Sequence, residues 1–279
     1  MPSAAMAARD LGVDERTGAF YRDVLRRLHG AGVPFLIGGA YALEYYTGVT
    51  RPVKDIDVFT RSADRNRALA ALARVGYETE VTSPTWLGKV RQGEEFVDLI
   101  SSSGNAIAEV DDEWFAHAEP GTVLGVPIDF CPPEETIWSK SYVMERERYD
   151  GADVLHLVRA RGARMNWERL LRRFGPHWRV LLSHLVLFGF VYPNEQRAVP
   201  DEVMRELLGR LVAELTQPPA ASPLCQGTLL SKSQYRIDIE RWGYHDGRLK
   251  PFGKMTRRQA TAIDRESKSA SHCKTYRSL

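Results

Sequence analysis

The sequence predicts an α/β fold of the α+β kind, with a mixed, mainly antiparallel sheet followed by a helical domain. Three observations carry this. Residues 35–59, FLIGGAYALEYYTGVTRPVKDIDVF, read as a buried strand, a glycine pair, a short helix, a basic loop and a second strand. Between residues 77 and 130, short strand-like runs are separated by turns. Beyond residue 132, apolar residues recur at the three-to-four spacing of helices.

In chain order, residues 1–19 read as a flexible N-terminus. Phe20, Val24 and Leu28 recur at helical spacing, and Gly30 and Gly32 end that helix. A core strand is expected at 34–38, and a helix over 40–46 turns Ala42, Leu43 and Tyr46 inward. After the strand holding Asp55 and Asp57, Ser62 or Asp64 caps a helix with Leu69, Leu72 and Val75 inside. Gly76 sits where a helix C-terminal glycine belongs. Strands are expected at 77–81, 86–91 and 95–101, the last two joined as a hairpin by the turn RQGEE. The segment GTVLGVPIDFCPPEETIWSKSYV reads as a strand pair, then a proline-initiated helix with glutamates in its first turn. Further helices are expected near 134–148, 152–161, 167–174, 177–190 and 201–215, with Asn166 capping the third and Pro176 opening the fourth. Residues 217–266 form a C-terminal extension that starts as a Pro/Ala/Ser linker and holds a helix near 231–242. Residues 267–279 lack core-forming side chains and read as a disordered tail.

Composition excludes several classes. With 43% hydrophobic and 27% charged residues the chain is of ordinary globular type, and a net charge of +2 carries no global polyanion-binding signal. The three cysteines, Cys131, Cys225 and Cys273, are far apart and form no CxxC, which argues against a disulfide framework and for the cytoplasm. The N-terminus has no apolar core of signal-peptide type, and the longest apolar run, 181–192, is too short to span a bilayer, so no membrane partner is expected. No Walker loop, GxGxxG or HExxH spacing occurs.

Asp55 and Asp57 alternate with Ile56 and Val58, so the two carboxylates share a face. Like charges placed there repel, and a cation between them removes the repulsion. Mg2+ takes oxygen ligands of this kind and commonly shares its sphere with phosphates. Gly38 and Gly39 let the backbone approach a phosphate closely, and the helix after them offers its N-terminal N–H groups to an anion. The alternative is a plain turn needing positive φ, but the helix directly after the glycines favours the phosphate role. Asp98 lies in the apolar strand EFVDLI and needs a partner there.

Strand, Gly-Gly, helix, then Asp-x-Asp resembles the DNA polymerase beta superfamily of nucleotidyltransferases, in particular its small bacterial branch of minimal, antibiotic and abortive-infection-type enzymes. The resemblance covers about residues 33–140. It implies a nucleotidyltransferase catalytic domain at 20–131, a helical domain at 132–216 and a cleft between them. It implies transfer of an NMP from an NTP to an acceptor hydroxyl with release of pyrophosphate, aided by two Mg2+ ions for which Mn2+ can substitute. Asp55, Asp57 and Asp98 become the catalytic metal ligands, with Asp98 also helping to deprotonate the acceptor. Gly38 and Gly39 cradle the triphosphate. Arg51, Lys54 and Lys140 are candidate phosphate contacts, each equally readable as a solvated charge. Ala40 and Val53 stand where many relatives have serine and threonine.

The acceptor is open between a small molecule, a protein side chain and an RNA end. Arg159, Arg161, Arg164, Arg169, Arg172, Arg173 and Arg179 make the helical part locally basic. An RNA footprint needs such residues on one face with aromatics free to stack, whereas Trp167 and Trp178 occupy apolar helix positions. His156 and His184 likewise read as packed. The competing reading is a nucleotidyltransferase-type antitoxin or a catalytically weak interaction module. An oligomer is compatible with either.

Overall fold

The computed structural model describes residues 12–218 and 221–264. Asp14 opens the first helix by accepting the Thr17 backbone N–H at 2.9 Å. Helix α1 (Glu15–Gly30) therefore begins inside the span expected to be a flexible N-terminus, because a capping aspartate and Glu15 in the first turn suit the positive helix end. Phe20, Val24 and Leu28 are buried as the periodicity requires.

Strand β1 (Leu36–Ile37), helix α2 (Gly39–Thr47), strand β2 (Ile56–Phe59) and helix α3 (Ser62–Ala73) follow. Neither Ser62 nor Asp64 caps α3, whose N-cap is Arg61 without a side-chain bond. Leu69 and Leu72 are buried, but Val75 lies past the helix end and is 43% exposed. Next come β3 (Glu78–Ser83), β4 (Leu87–Gln92), β5 (Glu95–Ile100), α4 (Asp112–Ala116), β6 (Glu119–Val123) and β7 (Val126–Phe130). All seven strands form one sheet in the order β3-β4-β5-β2-β1-β7-β6. Four pairings are antiparallel, while β1–β7 and β2–β5 are parallel. Ile56, Val58, Val97 and Leu99 on the two central strands are buried on one face, and α1 and α3 pack against the sheet.

Helices α5 (Pro133–Lys140), α6 (Gly151–Arg161), α7 (Trp167–Phe174), α8 (Trp178–Val191) and α9 (Asp201–Glu214) pack in succession, with α2 joining α6. Asn166 caps α7 as expected, accepting the Arg169 N–H at 2.9 Å. Trp167, Trp178 and His184 are buried, the last with Nε2 3.0 Å from the Ser141 carbonyl oxygen. The helix expected over 134–148 stops at Lys140. Met144–Glu145 and Arg148–Tyr149 instead form a small hairpin, so the charged run MERERY is a turn and not a helix face. The helix expected near 231–242 shrinks to Arg236–Glu240.

The extension returns to the sheet. Met255, Ala260 and Ile263 form a second apolar cluster against Trp86, Ala106 and Leu249. Arg248 ties it together through paired bonds to Asp246 and Asp264. Part of the 217–223 linker lies outside the described residues, as does the 267–279 tail.

The arginines of the helical part are mostly spent on carboxylates. Arg169 pairs with Glu134 at 2.5 Å and Glu135 at 3.2 Å, and Arg173 holds Asp111 and Glu135. Arg159, Arg161, Arg172 and Arg179 pair with Glu195, Glu119, Glu113 and Glu214. A bare basic stripe for a polynucleotide is therefore not formed by these six residues. Glu135 is fully buried, so Arg169→Met should destabilise the protein by about 3 kcal/mol by leaving carboxylates undercompensated. Urea unfolding measures this; a loss below about 1 kcal/mol contradicts the role given to Arg169.

Candidate active site

Asp55 precedes β2 and Asp57 lies within it, both half-buried. Strand β5 runs parallel to β2 with Asp57 opposite Asp98. Directly paired positions of neighbouring strands project to the same face. Asp98 therefore shares the face of Asp57, while Ile56, Val58, Val97 and Leu99 fill the core on the other side.

Burial, and then the charges of Asp55 and Asp98, push the Asp57 carboxyl up to about 7, against the opposing pull of Lys140 and Arg148. Burial also raises Asp98, while Lys89 works the other way. The Lys89 ammonium donates to Asp98 Oδ1 at 2.5 Å and lies 4.1 Å from the centre of the Phe96 ring. Among the described residues no three His, Cys, Asp or Glu side chains are gathered as a ready metal centre. Asp98 instead faces an ammonium.

Gly38 N–H donates to the Asp57 carbonyl oxygen at 3.0 Å, which fixes the glycine pair over β2. A Cβ on Gly39 would fall 1.8 Å from Asp57 Oδ2, and one on Gly38 would fall 2.3 Å from the Phe59 ring. Gly39 also has φ +57°. The backbone at the start of α2 thus lies directly against the carboxylate, in space that a side chain would fill. Gly38, the N-cap, has no side-chain bond to the first turn of α2.

The three basic candidates part company. Lys54 is exposed beside Asp55. Arg51 pairs with Asp153. Lys140 donates to Asp150 Oδ2 at 3.0 Å and Asp153 Oδ2 at 2.9 Å. Asp150 also accepts two bonds from Arg148, whose Nε lies 3.0 Å from Oδ1. Asp150 and Asp153 thus gather Arg51, Lys140 and Arg148 at the start of α6, close enough for Lys140 and Arg148 to act on Asp57. Neither acid was singled out from sequence. The signal was Asp-Gly followed by a second aspartate three positions on, at the start of the helix expected near 152–161. Lys89 was readable too. Counting back from the Gly93-Glu94 turn, Gln92 faces Glu95 and Lys89 faces Asp98.

Strands β1 to β6 of the mixed sheet and the glycine turn between β1 and α2 lie in the part of the chain that a family model matches. Residues 21–125 match the family model of aminoglycoside-2''-adenylyltransferase. That segment holds the sheet up to the β6–β7 turn and leaves β7, the helices from α5 onward and the residues after them outside. Among solved structures, the chain is similar to the antibiotic-resistance factor ANT(2'')-Ia in solution at 20% identity, over 62% of this chain and 98% of that one, with a TM-score of 0.45. It is similar to lincomycin-bound LnuA, a lincosamide antibiotic adenylyltransferase, at 17% identity over 52% and 96%, TM-score 0.38. It is also similar to JHP933 from Helicobacter pylori at 12% identity over 74% and 100%, TM-score 0.37. The comparison with curated proteins finds no match. Among the described residues no helix is long and apolar enough to cross a membrane.

Proposed function

We propose that the protein transfers an NMP from an NTP to an acceptor hydroxyl, releasing pyrophosphate, with Mg2+ held by Asp55, Asp57 and Asp98. The observation that carries this is the register of Asp57 with Asp98 beneath the Gly38–Gly39 turn. The donor set suits a hard divalent ion, because Asp57 is a half-buried carboxylate whose ionised form is disfavoured by desolvation and by its acidic neighbours until a cation joins it. When bound, such ions supply charge stabilisation at the attacking and leaving oxygens.

The chain's own residues do the rest. The Gly39 backbone admits the triphosphate against β2, and the uncapped N–H groups opening α2 face its charge. Asp150 and Asp153 hold Lys140 and Arg148 near Asp57, where their positive charge offsets that of the phosphates. Asp98 takes the acceptor proton once Lys89 yields its oxygen. Phosphoryl transfer needs little more than this positioning and charge compensation. The family match at residues 21–125 supports the reading. The test is incubation with α-labelled NTPs and Mg2+ or Mn2+ in the presence of cell extract, following pyrophosphate and labelled product together. Neither appearing with any NTP contradicts the proposal.

Lys89 competes with a cation for Asp98 in this scheme. Lys89→Met should lower by several-fold the Mg2+ concentration that half-saturates thermal stabilisation, since binding to the folded state shifts Tm by mass action. An unchanged or higher concentration removes that role.

A further inference from the structure

A cavity of about 460 Å³ opens between β4, the loop at 103–105, the segment after α5 and the C-terminal extension. Lys89, bonded to Asp98, stands in its wall, so one side chain separates the cavity from the third carboxylate. Arg148, which shares Asp150 with Lys140, stands there as well. The volume falls in the range of small-molecule pockets. Much of the wall, from Thr228 to Lys232 with Arg248 and Ile263, belongs to the extension, far beyond residue 125 where the family match ends.

The wall chemistry is specific. Trp86, Tyr142, Leu229, Leu230 and Ile263 give it an apolar side on which a ring can lie. Its basic members are Lys89, Arg148, Lys232 and Arg248, and among the described residues its acid is Glu145. Both Glu145 oxygens are engaged: Oε1 accepts the Lys232 backbone N–H at 3.2 Å, and Oε2 accepts the hydroxyls of Ser231 and Ser233. The aspartates balancing Lys89, Arg148 and Arg248 are Asp98, Asp150, Asp246 and Asp264, and none of them lines the cavity. An occupant therefore meets the positive ends of these pairs. A polycation would bring like charge against them and find one carboxylate already bonded, which disfavours binding.

We infer that this cavity takes the acceptor, and that the acceptor is a hydroxyl compound without cationic centres, carrying a ring-sized apolar part. Aminoglycoside-type polycations are rejected. The word acceptor rests on the nucleotidyltransferase reading; the binding preference does not.

Calorimetric titration of the full chain at low salt compares 4-nitrophenyl β-D-glucuronide, the neutral 4-nitrophenyl β-D-glucoside and tobramycin. Both glycosides should bind at least tenfold more tightly than tobramycin. Lys232→Glu should weaken the glucuronide about tenfold while changing the glucoside little, the difference that reversing one wall charge makes to an acid. Tobramycin binding as tightly as the glycosides overturns the inference, and so does failure of either glycoside to bind. In a second arm, labelled ATP and Mg2+ are added with extract and any adenylylated acceptor is identified. A cationic acceptor overturns the inference. If nothing is adenylylated, the transferase reading falls while the titration still decides what the cavity accepts.

Discussion

Asp57→Asn should abolish nucleotidyl transfer, lowering kcat/KM by roughly a thousandfold, the equivalent of about 4 kcal/mol. Asparagine keeps the shape and stays half-buried on β2 opposite Asp98, so the fold should survive. The neutral amide loses the charge that draws a divalent cation to this face. Retained activity would remove Asp57 from the site. The same residue predicts a pH-dependent metal response. Its carboxyl sits at about 7 in the folded chain against an ordinary value of 3.8. Below 3.8 both states hold the proton. Between 3.8 and about 7 the unfolded chain releases it while the folded chain keeps it, so metal-free stability falls as pH rises through that window and stays low above it. A divalent cation binds the ionised form and reverses the loss. Mg2+ should therefore raise Tm by several degrees at pH 8 and by little at pH 5. Thermal unfolding with and without Mg2+ reads this directly. Equal gains at both pH values, or an undiminished gain in Asp57→Asn, contradict it.

Gly39→Ala should be nearly as damaging by a different route. The added methyl would lie 1.8 Å from Asp57 Oδ2, at a backbone φ of +57°. The left-handed conformation alone costs about 1 kcal/mol for an L-residue. The overlap adds to it, because Asp57 is held in the sheet and cannot withdraw freely. Gly48 is the internal control. It too has positive φ, +71°, yet a Cβ there meets nothing within 4 Å. Gly48→Ala should cost about 1 kcal/mol and leave transfer near wild type. Gly39→Ala should lose at least about 2 kcal/mol and most of the activity. Urea midpoints and initial rates of the two variants side by side decide it. Equal effects would mean that Gly39 serves the turn and nothing else.

The two local patterns behind these predictions were visible without coordinates. Alternation placed Asp55 and Asp57 on one face, and a glycine pair between strand and helix marked the close approach. Both depend on residues a few positions apart, where side-chain direction follows from backbone geometry. Asp98 was readable as a misplaced charge in an apolar strand, but its neighbour was not: parallel pairing with β2 joins residues 57 and 98 through a connection that sequence cannot register. Lys140 shows the opposite failure. Its position on α5 was foreseen, but its ammonium turns to Asp150 and Asp153, beyond a hairpin that had been read as helix.

Sequence by itself determined the strand alternation, the glycine turn, most helix positions and the candidate carboxylates of the proposed site, because each is written in local spacing. Tertiary structure alone decided which face Asp98 joins, which cations its neighbours hold, and that the chain beyond residue 223 walls the cavity next to it. Those outcomes depend on strand order and on burial of distant segments against one another, and pairing over such separations leaves no periodic trace along the chain.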